Sequence, residues 1–414
     1  MKHPLKTIAA AVSLAAAMSA AAQNVMTPYS QFGYGILSDN ASAAQQSMGG
    51  VGYGMNSGRQ INVMNPASYA RVDSLTFLFD MGVDFTNLWS SETTGDGVRH
   101  SEVRQGGGLD YITMQFALSK RLGMSIGLLP FASTGYAFGN SIEHGYAQRN
   151  GSGSINQLYA GVGAKIFKGF NVGVNVSYLF GNVINDTYAV TSSGSQGLYE
   201  RELRVRDFRV NVGAQYTVGI GADALTLGLV YTPAKALLGT TRTLFYDVSA
   251  DANREPAETD KYKLKDRYKL PDTWGAGINY IWNQRLMVEA DFTYQPWSKV
   301  IYDGVKGTLA DRYKVAVGAQ YQPSPRGSYL RRTQYRLGGF YDRDYLVVRG
   351  NNVREYGASV GVGLPVPGFK TVVSVGIGWL HRQAYPTALV KEDYLNITLG
   401  VNFNELWFRK NRIY

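Results

Sequence analysis

The chain has 414 residues, with 48 Gly, 29 Tyr and 17 Phe, and only 17% of its residues are charged. It contains no Cys, which excludes a disulfide scaffold and a thiolate metal site. The formal net charge is +10 at pH 7. The basic residues are spread through predicted loops and strand ends, so they indicate contacts with anionic lipid headgroups and solvent, and no nucleic acid partner is expected.

Residues 1–22 have the pattern of a secretory signal peptide. Lys2 precedes an apolar run from Thr7 to Met18, and three Ala residues precede Gln23. A positive start, a short apolar stretch and small residues before the cleavage site predict export. No run of about eighteen apolar residues follows, which argues against a membrane-spanning helix. A membrane location then requires a closed β-barrel.

Alternating apolar and polar residues predict such a barrel. In residues 395–404, Leu, Ile, Leu, Val and Phe alternate with Asn, Thr, Gly, Asn and Asn, so one face suits lipid and the other a polar lumen. Fourteen segments of this kind begin near residues 75, 109, 123, 155, 170, 203, 224, 271, 285, 311, 332, 354, 371 and 393. The predicted fold is therefore all-β, a transmembrane antiparallel β-barrel of about 14 strands. A soluble β-sandwich also has period-two strands, but the nearly uncharged lipid faces disfavour it.

The connections between these strands alternate in length. Longer ones are predicted at 132–153, 183–200 and 236–262, and short turns lie between them. Bacterial barrels have short periplasmic turns and long outer loops. We therefore expect both termini on the periplasmic side of a Gram-negative outer membrane.

Aromatic residues cluster at the predicted strand ends. Examples are Trp282, Trp297, Trp379, Trp407 and Phe408. Amphipathic rings prefer the interface between lipid and water. These residues are therefore predicted to form aromatic girdles.

Residues 23–73 lack sustained alternation and are rich in Ala, Gly, Asn, Ser and Gln. We predict that they form a plug inside the lumen of a barrel formed by residues 74–414. Within this stretch, Asn65-Pro66-Ala67 is a rigid turn, because Pro fixes its own backbone and restricts the residue before it. In the third strand, Pro130 predicts a kink or bulge, since Pro cannot donate to a strand ladder.

Charged residues are predicted on the lumen face. Glu289 and Asp291 lie two apart on one strand and thus share a face. Four basic residues are expected opposite them, which favours an ionic network that supports the plug. These residues are Arg209, Arg312, Lys314 and Arg336.

No catalytic site is predicted. The three His residues after residue 22, at positions 100, 144 and 381, are dispersed, so neither a Ser-His pair nor a zinc site can be identified. No enzyme activity, metal or cofactor is expected.

Several motifs resemble the FadL-type family of outer-membrane long-chain fatty-acid transporters. They are the Gly-Gly-Val-Gly and Asn-Pro-Ala turns at 49–52 and 65–67, Leu-Pro-Asp-Thr-Trp at 270–274, and Phe-Thr-Tyr-Gln-Pro-Trp-Ser at 292–298. The resemblance implies uptake of hydrophobic molecules, by default long-chain fatty acids, through a lateral gap beside a kinked third strand. It places Asn65, Pro66 and Ala67 at the gap, makes Pro130 the kink, and makes the plug the gate.

Two other functions fit a plugged barrel. The first is a barrel that docks or shuttles secreted proteins for a secretion system, with a secreted protein or a secretion-system component as partner. The second is a general porin. On the leading hypothesis, the partners are outer-membrane lipid and a hydrophobic small molecule.

Overall fold

A computed structural model describes residues 26–93, 97–142, 144–192, 194, 196–247, 257–368 and 370–406. The predicted signal peptide, Trp407 and Phe408 lie outside these residues. No helix in the described ranges is long and apolar enough to cross a membrane.

Within these described residues, fourteen antiparallel strands form one closed barrel, which confirms the predicted architecture. The first strand pairs with the last, from Thr76 opposite Leu406 to Glu92 opposite Val390. The barrel strands are β1 (Thr76–Thr93), β2 (Arg99–Ala117), β3 (Leu122–Ile142), β4 (Gly145–Phe167), β5 (Phe170–Thr191), β6 (Gln196–Ile220), β7 (Asp223–Thr232), β8 (Thr273–Trp282), β9 (Leu286–Gln295), β10 (Arg312–Tyr321), β11 (Gln334–Val348), β12 (Asn351–Pro365), β13 (Val372–Tyr385) and β14 (Val390–Leu406).

The two faces of the wall differ as the alternation predicts. On β8, the side chains of Trp274, Ile278 and Trp282 are exposed on the outside, whereas Thr273 and Asn279 are buried on the inside. Successive side chains of a strand point to opposite faces. An exposed apolar outer face around a polar interior is the pattern of a barrel surrounded by lipid.

The wall is taller on one side than on the other. Strands β7 to β10 have 10 residues each, close to the nine to eleven or so that cross a bilayer. Strands β1 to β6 have 18 to 25 residues. The predicted loops at 132–153 and 183–200 are therefore mostly strand, because their polar residues pair beyond the part of the wall that has an apolar outer face, where alternation no longer marks a strand.

The remaining elements are short. An outer hairpin is formed by Gly239–Asp247, which pairs with β6, and Ala257–Lys263. The other elements are the helices α1 (Ala43–Gln46) and α2 (Tyr329–Arg332), the 3-10 turns Pro28–Gln31, Pro66–Arg71, Leu264–Asp266 and Trp297–Lys299, and the two-residue strands Ile36–Leu37, Lys235–Ala236, Lys269–Leu270, Ile301–Tyr302 and Val305–Lys306.

An apolar cluster joins the N-terminal residues to the outer connections. The ring centroid of Tyr34 lies 5.7 Å from that of Trp297 and 5.1 Å from that of Tyr302. The rings of Trp297 and Tyr345 lie 4.5 Å apart with a tilt of 31°. Trp297 is only 2% exposed, so its prediction as a girdle residue is wrong. The chain after β9 turns inward and buries this ring against residues that precede the barrel.

Candidate functional site

Strands β2 and β3 are paired along only part of their length. Their ladder has six residue pairs and ends where Ile112 faces Leu128, whereas twenty pairs join β3 to β4. Residues 106–111 of β2 and 129–134 of β3 continue without pairing to each other. We call this unpaired stretch the lateral gap.

Pro130 lies two residues beyond the last pair. Pro130 faces Asn156 of β4 and Ala132 faces Ile155, so Phe131 is the extra residue of a bulge. Bulges bend a strand, and Pro has no N–H for a ladder. The predicted irregularity of the third strand is confirmed at this residue.

The N-terminal segment, which we define as residues 26–75, covers the free edge of β3. Ile36–Leu37 pairs antiparallel with Ala132 and Ser133. The N–H of Ser38 donates to the carbonyl of Phe131 over 3.0 Å. These bonds satisfy backbone groups that β2 leaves unpaired, which matters because such groups are costly away from water.

A cavity of about 390 Å³ lies behind the lateral gap. Gly107 and Asp110 line it from β2, Pro130 from β3, and Leu37 and Asp39 from the N-terminal segment. Charged side chains of the lumen line its inner side, namely Asp342, Asp344, Glu355 and Arg382. The cavity therefore extends from the wall into the lumen.

A second cavity, of about 110 Å³, lies further inside and combines apolar side chains with Arg209. Leu129, Phe131 and Trp297 supply apolar surface. The guanidinium carbon of Arg209 lies 5.4 Å from the centre of the Phe131 ring. Its Nη2 lies 3.3 Å from Oγ1 of Thr273. No carboxylate among the described residues forms an ion pair with Arg209.

Asp39 borders both cavities and a third one of about 200 Å³. Its carboxylate accepts a bond from Arg312 over 3.0 Å and also pairs with Lys314. Burial alone raises the pKa of Asp39, but attraction to Lys314 and Arg312 outweighs burial and holds the pKa well below its ordinary value. Asp39 is therefore charged, and it links the N-terminal segment to β10.

The predicted ionic network has different partners in the structure. Glu289 accepts the N–H groups of Gly54 and Met55 over 2.8 and 3.0 Å. Asp291 accepts those of residues 52 and 53 over 2.7 and 2.9 Å. These carboxylates bind the backbone of the N-terminal segment, and within the described chain neither forms an ion pair with the predicted basic residues.

Of the four basic residues, Arg312 and Lys314 both pair with Asp39, whereas Arg209 and Arg336 form no ion pair among the described residues. Arg312 donates three hydrogen bonds to Asp342, from Nε over 3.2 and 2.9 Å and from Nη2 over 2.5 Å. Arg336 donates to Gln320 and Ser374 over 2.8 and 2.9 Å. Asp39 and Asp342 are not among the residues predicted from the sequence. Nothing in the local pattern marks Asp39 as the partner of residues more than 270 positions later.

Asn65 begins the 3-10 turn Pro66–Arg71 as its N-cap. Its Oδ1 accepts the N–H of Ala67 over 3.1 Å, which satisfies one of the donors that a helix start leaves free. Its Nδ2 donates to the carbonyl of Tyr53 over 2.8 Å. The Asn side chain thus fixes the turn and ties it to the rest of the N-terminal segment.

The Asn-Pro-Ala turn packs directly on glycines of the wall. A Cβ atom on Gly173 would lie 2.3 Å from the carbonyl carbon of Pro66, and one on Gly213 would lie 2.1 Å from Oδ1 of Asn65. Only glycine leaves room for this approach. The turn therefore lies against β5 and β6, whereas Pro130 lies beside Ile36–Leu37.

The family model described as BamG matches residues 5–414. Comparison with curated proteins gives no match.

Solved structures share the fold. A FadL homologue of Pseudomonas aeruginosa is 12% identical with a TM-score of 0.62, covering 89% of this chain and 99% of that one. The toluene transporter TbuX of Ralstonia pickettii is 12% identical with a TM-score of 0.59, covering 88% and 98%. The toluene transporter TodX of Pseudomonas putida is 13% identical with a TM-score of 0.59, covering 90% and 99%. At such low identity, these likenesses show the fold alone.

Proposed function

This chain belongs to the BamG family, and from that premise we propose that it carries hydrophobic compounds across the Gram-negative outer membrane through the lateral gap. Long-chain fatty acids are the default cargo. Residues 23–73 act as the plug that gates the route, and residues 74–414 form the barrel. The observation that carries the proposal is the end of the β2–β3 ladder at Ile112 and Leu128, with a cavity of about 390 Å³ behind it.

The outer face of the barrel supports the membrane location. Side chains such as Phe208, Leu229, Leu337 and Val360 are at least half exposed on it. Apolar patches of this extent are rare on proteins surrounded by water. Contact with lipid removes this surface from water at a gain of about 25 cal/mol per Å².

A lateral route suits an apolar cargo. Such a molecule gains nothing from a charged lumen, but it gains burial when it leaves sideways into lipid. Two of the proteins of similar fold are toluene transporters, which favours the same general class of cargo for this chain. Because Ile36–Leu37 pairs with the free edge of β3, the N-terminal segment has to move for the opening to widen.

The alternatives have less support. A general porin needs a continuous aqueous path, and the packing of Tyr34 against Trp297 weighs against one at the outer end. Docking of a secreted protein has no described feature in its favour.

A reversible crosslink tests the proposal. Leu37 faces Ala132, and facing residues in antiparallel strands lie about 4.5 to 5.5 Å apart, within the range that a disulfide spans. The protein has no Cys, so Leu37→Cys with Ala132→Cys introduces a single disulfide. The matched control is Leu227→Cys with Ile278→Cys, a facing pair in the wall between β7 and β8.

Uptake of labelled long-chain fatty acid and labelled toluene is measured in cells with equal surface levels of each protein. We expect the oxidised gap pair to block uptake, reduction to restore it, and the control pair to have no effect. Equal uptake before and after reduction of the gap pair would contradict gating at this edge. If the unsubstituted protein shows no uptake above cells that lack it, the transport proposal fails.

A further inference from the structure

The outward face of β6 changes from apolar to basic near its outer end. Phe208, Val210 and Val212 lie on the lipid face, and Phe208 is 57% exposed. Arg206 and Arg204 follow on the same face, because alternate residues of a strand share a side. Arg206 lies two residues beyond Phe208, about 7 Å along the strand.

Aromatic rings mark the same boundary. The ring of Phe208 lies 5.0 Å from that of Tyr178 on β5, and Tyr178 stacks with Phe180 at 6.0 Å. Arg206 faces Phe180 across the ladder. Since aromatic rings prefer the interface between lipid tails and headgroups, Arg206 stands at headgroup level.

The outer hairpin adds further cations to this face. Arg204 faces Thr240, and Thr240 faces Lys263 on the second hairpin strand. In the next row, Glu202 faces Arg242, and Arg242 faces Lys261. We call this face the basic strip; its members are Arg204, Arg206, Arg242, Lys261 and Lys263, together with Glu202. Five cations and one carboxylate leave a formal charge of +4.

A buried carboxylate holds two of the cations in place. The side chain of Glu202 is 5% exposed, whereas those of Arg204 and Arg242 are 47% and 41% exposed. Glu202 accepts a hydrogen bond from Nη2 of Arg204 over 2.8 Å and another from Nε of Arg242 over 2.7 Å. Both guanidinium groups are thus ordered before any ligand arrives, which lowers the entropic cost of binding.

From this arrangement we propose that the basic strip binds the phosphate groups of outer-leaflet lipid, with the acyl chains against Phe208 and Val210. Guanidinium groups match phosphate oxygens in paired hydrogen bonds. The carboxylates of Glu200 and Asp186 face each other further out along the same strands, so positive charge is concentrated nearest the apolar face. This placement matches a lipid, whose charge and tails are adjacent, better than a free anion.

The proposal is tested with purified full-length protein and bisphosphorylated lipid A, with bound lipid counted by native mass spectrometry. The variant Arg204→Gln, Arg206→Gln, Lys263→Gln removes three cations. The control Lys120→Gln, Arg121→Gln, Lys168→Gln removes three from the inner turns. We expect roughly a fivefold loss of affinity for each strip cation removed, and little change in the control. Dephosphorylated lipid A should bind equally weakly to all three proteins.

Three outcomes would overturn the proposal. The first is equal affinity of the strip variant and the unsubstituted protein. The second is equal binding of phosphorylated and dephosphorylated lipid A. The third is displacement of lipid A by inorganic phosphate at matched phosphate concentration, which would identify a free anion as the ligand. If the triple variant does not fold, as judged by heat-dependent mobility in gels, Arg206→Gln alone is compared with Arg121→Gln. Binding depends on the outer-membrane location but not on transport, so uptake and lipid binding can fail separately.

Discussion

Ile112 of β2 faces Leu128 of β3, and in the part of the chain that the structure describes the backbone ladder between the two strands ends at this pair. Beyond it, the side chain of Arg104 donates to the carbonyl of Ala137 over 3.1 Å. On the far side of β3, the ladder to β4 continues past the same level to Ile142. The wall is thus interrupted on one side of a single strand. An interruption in lipid is tolerable only where other groups satisfy the backbone, and Ile36–Leu37 does so.

Replacing Pro130 should reduce lateral transport. Pro130→Val restores an N–H and favours a regular strand, so we expect β3 to pair further with β2. Uptake should then fall roughly tenfold, equivalent to about 1.4 kcal/mol in favour of the closed wall. The control is Pro325→Ala in the exposed inner connection. Unchanged uptake by the Pro130→Val variant at equal surface level would refute a role for the bulge.

A methyl group on Gly173 should weaken the hold on the Asn-Pro-Ala turn. Its Cβ would lie 2.3 Å from the carbonyl carbon of Pro66, and overpacking of this kind costs about 1 to 3 kcal/mol. We expect a lower free energy of unfolding for Gly173→Ala and faster proteolysis of the N-terminal segment. Gly219→Ala on β6 is the matched control, because nothing lies within 4 Å of a Cβ there. Equal proteolysis rates for the two variants would contradict this role of Gly173.

The number and order of the strands could be predicted because, over part of its length, each strand alternates apolar and polar residues with a period of two. The predicted starts near 109, 155 and 203 come seven to ten residues after those of β2, β4 and β6, because the outer parts of these strands face water on both sides and lose the alternation. Trp297 and Trp282 both lie at the end of a predicted strand, yet the ring of Trp297 is buried and that of Trp282 is exposed. Local sequence cannot distinguish these two environments.

The contacts of the lumen depend on residues far apart in the chain. Glu289 and Asp291 could be placed on the inner face by their spacing. Their partners are backbone N–H groups of residues 52–55, which every residue except Pro carries and which no pattern singles out. From the sequence, the two carboxylates are therefore predicted to pair with basic side chains such as Arg209. In the structure they accept hydrogen bonds from backbone N–H groups instead.

Protonation of Asp39 should loosen the N-terminal segment only at a pH below the ordinary pKa range of a carboxyl group. Because Lys314 and Arg312 lower the pKa of Asp39 in the folded protein, the ion pairs stabilise fully above the unfolded value of about 3.9 and are lost as pH falls through the lower folded value. We expect Asp39→Asn to speed proteolysis of the segment at pH 7. The ratio of its proteolysis rate to that of the unsubstituted protein should be the same at pH 5 as at pH 7. Asp266→Asn in an outer turn is the control. If Asp39→Asn and the unsubstituted protein are cut at the same rate at pH 7, Asp39 does not hold the segment.

Arg209 should distinguish acidic from neutral cargo. It lines the inner cavity beside Phe131 without a carboxylate partner among the described residues, so a fatty-acid carboxylate would supply the missing counter-charge. A hydrogen bond to a charged group contributes about 1.5 to 3 kcal/mol, so Arg209→Met should lower fatty-acid uptake roughly tenfold or more while toluene uptake is retained. Arg121→Met in an inner turn controls for the loss of a cation. Equal losses for both cargoes would mean that Arg209 supports the wall, and an unchanged fatty-acid uptake would mean that the carboxylate is bound elsewhere or remains in water.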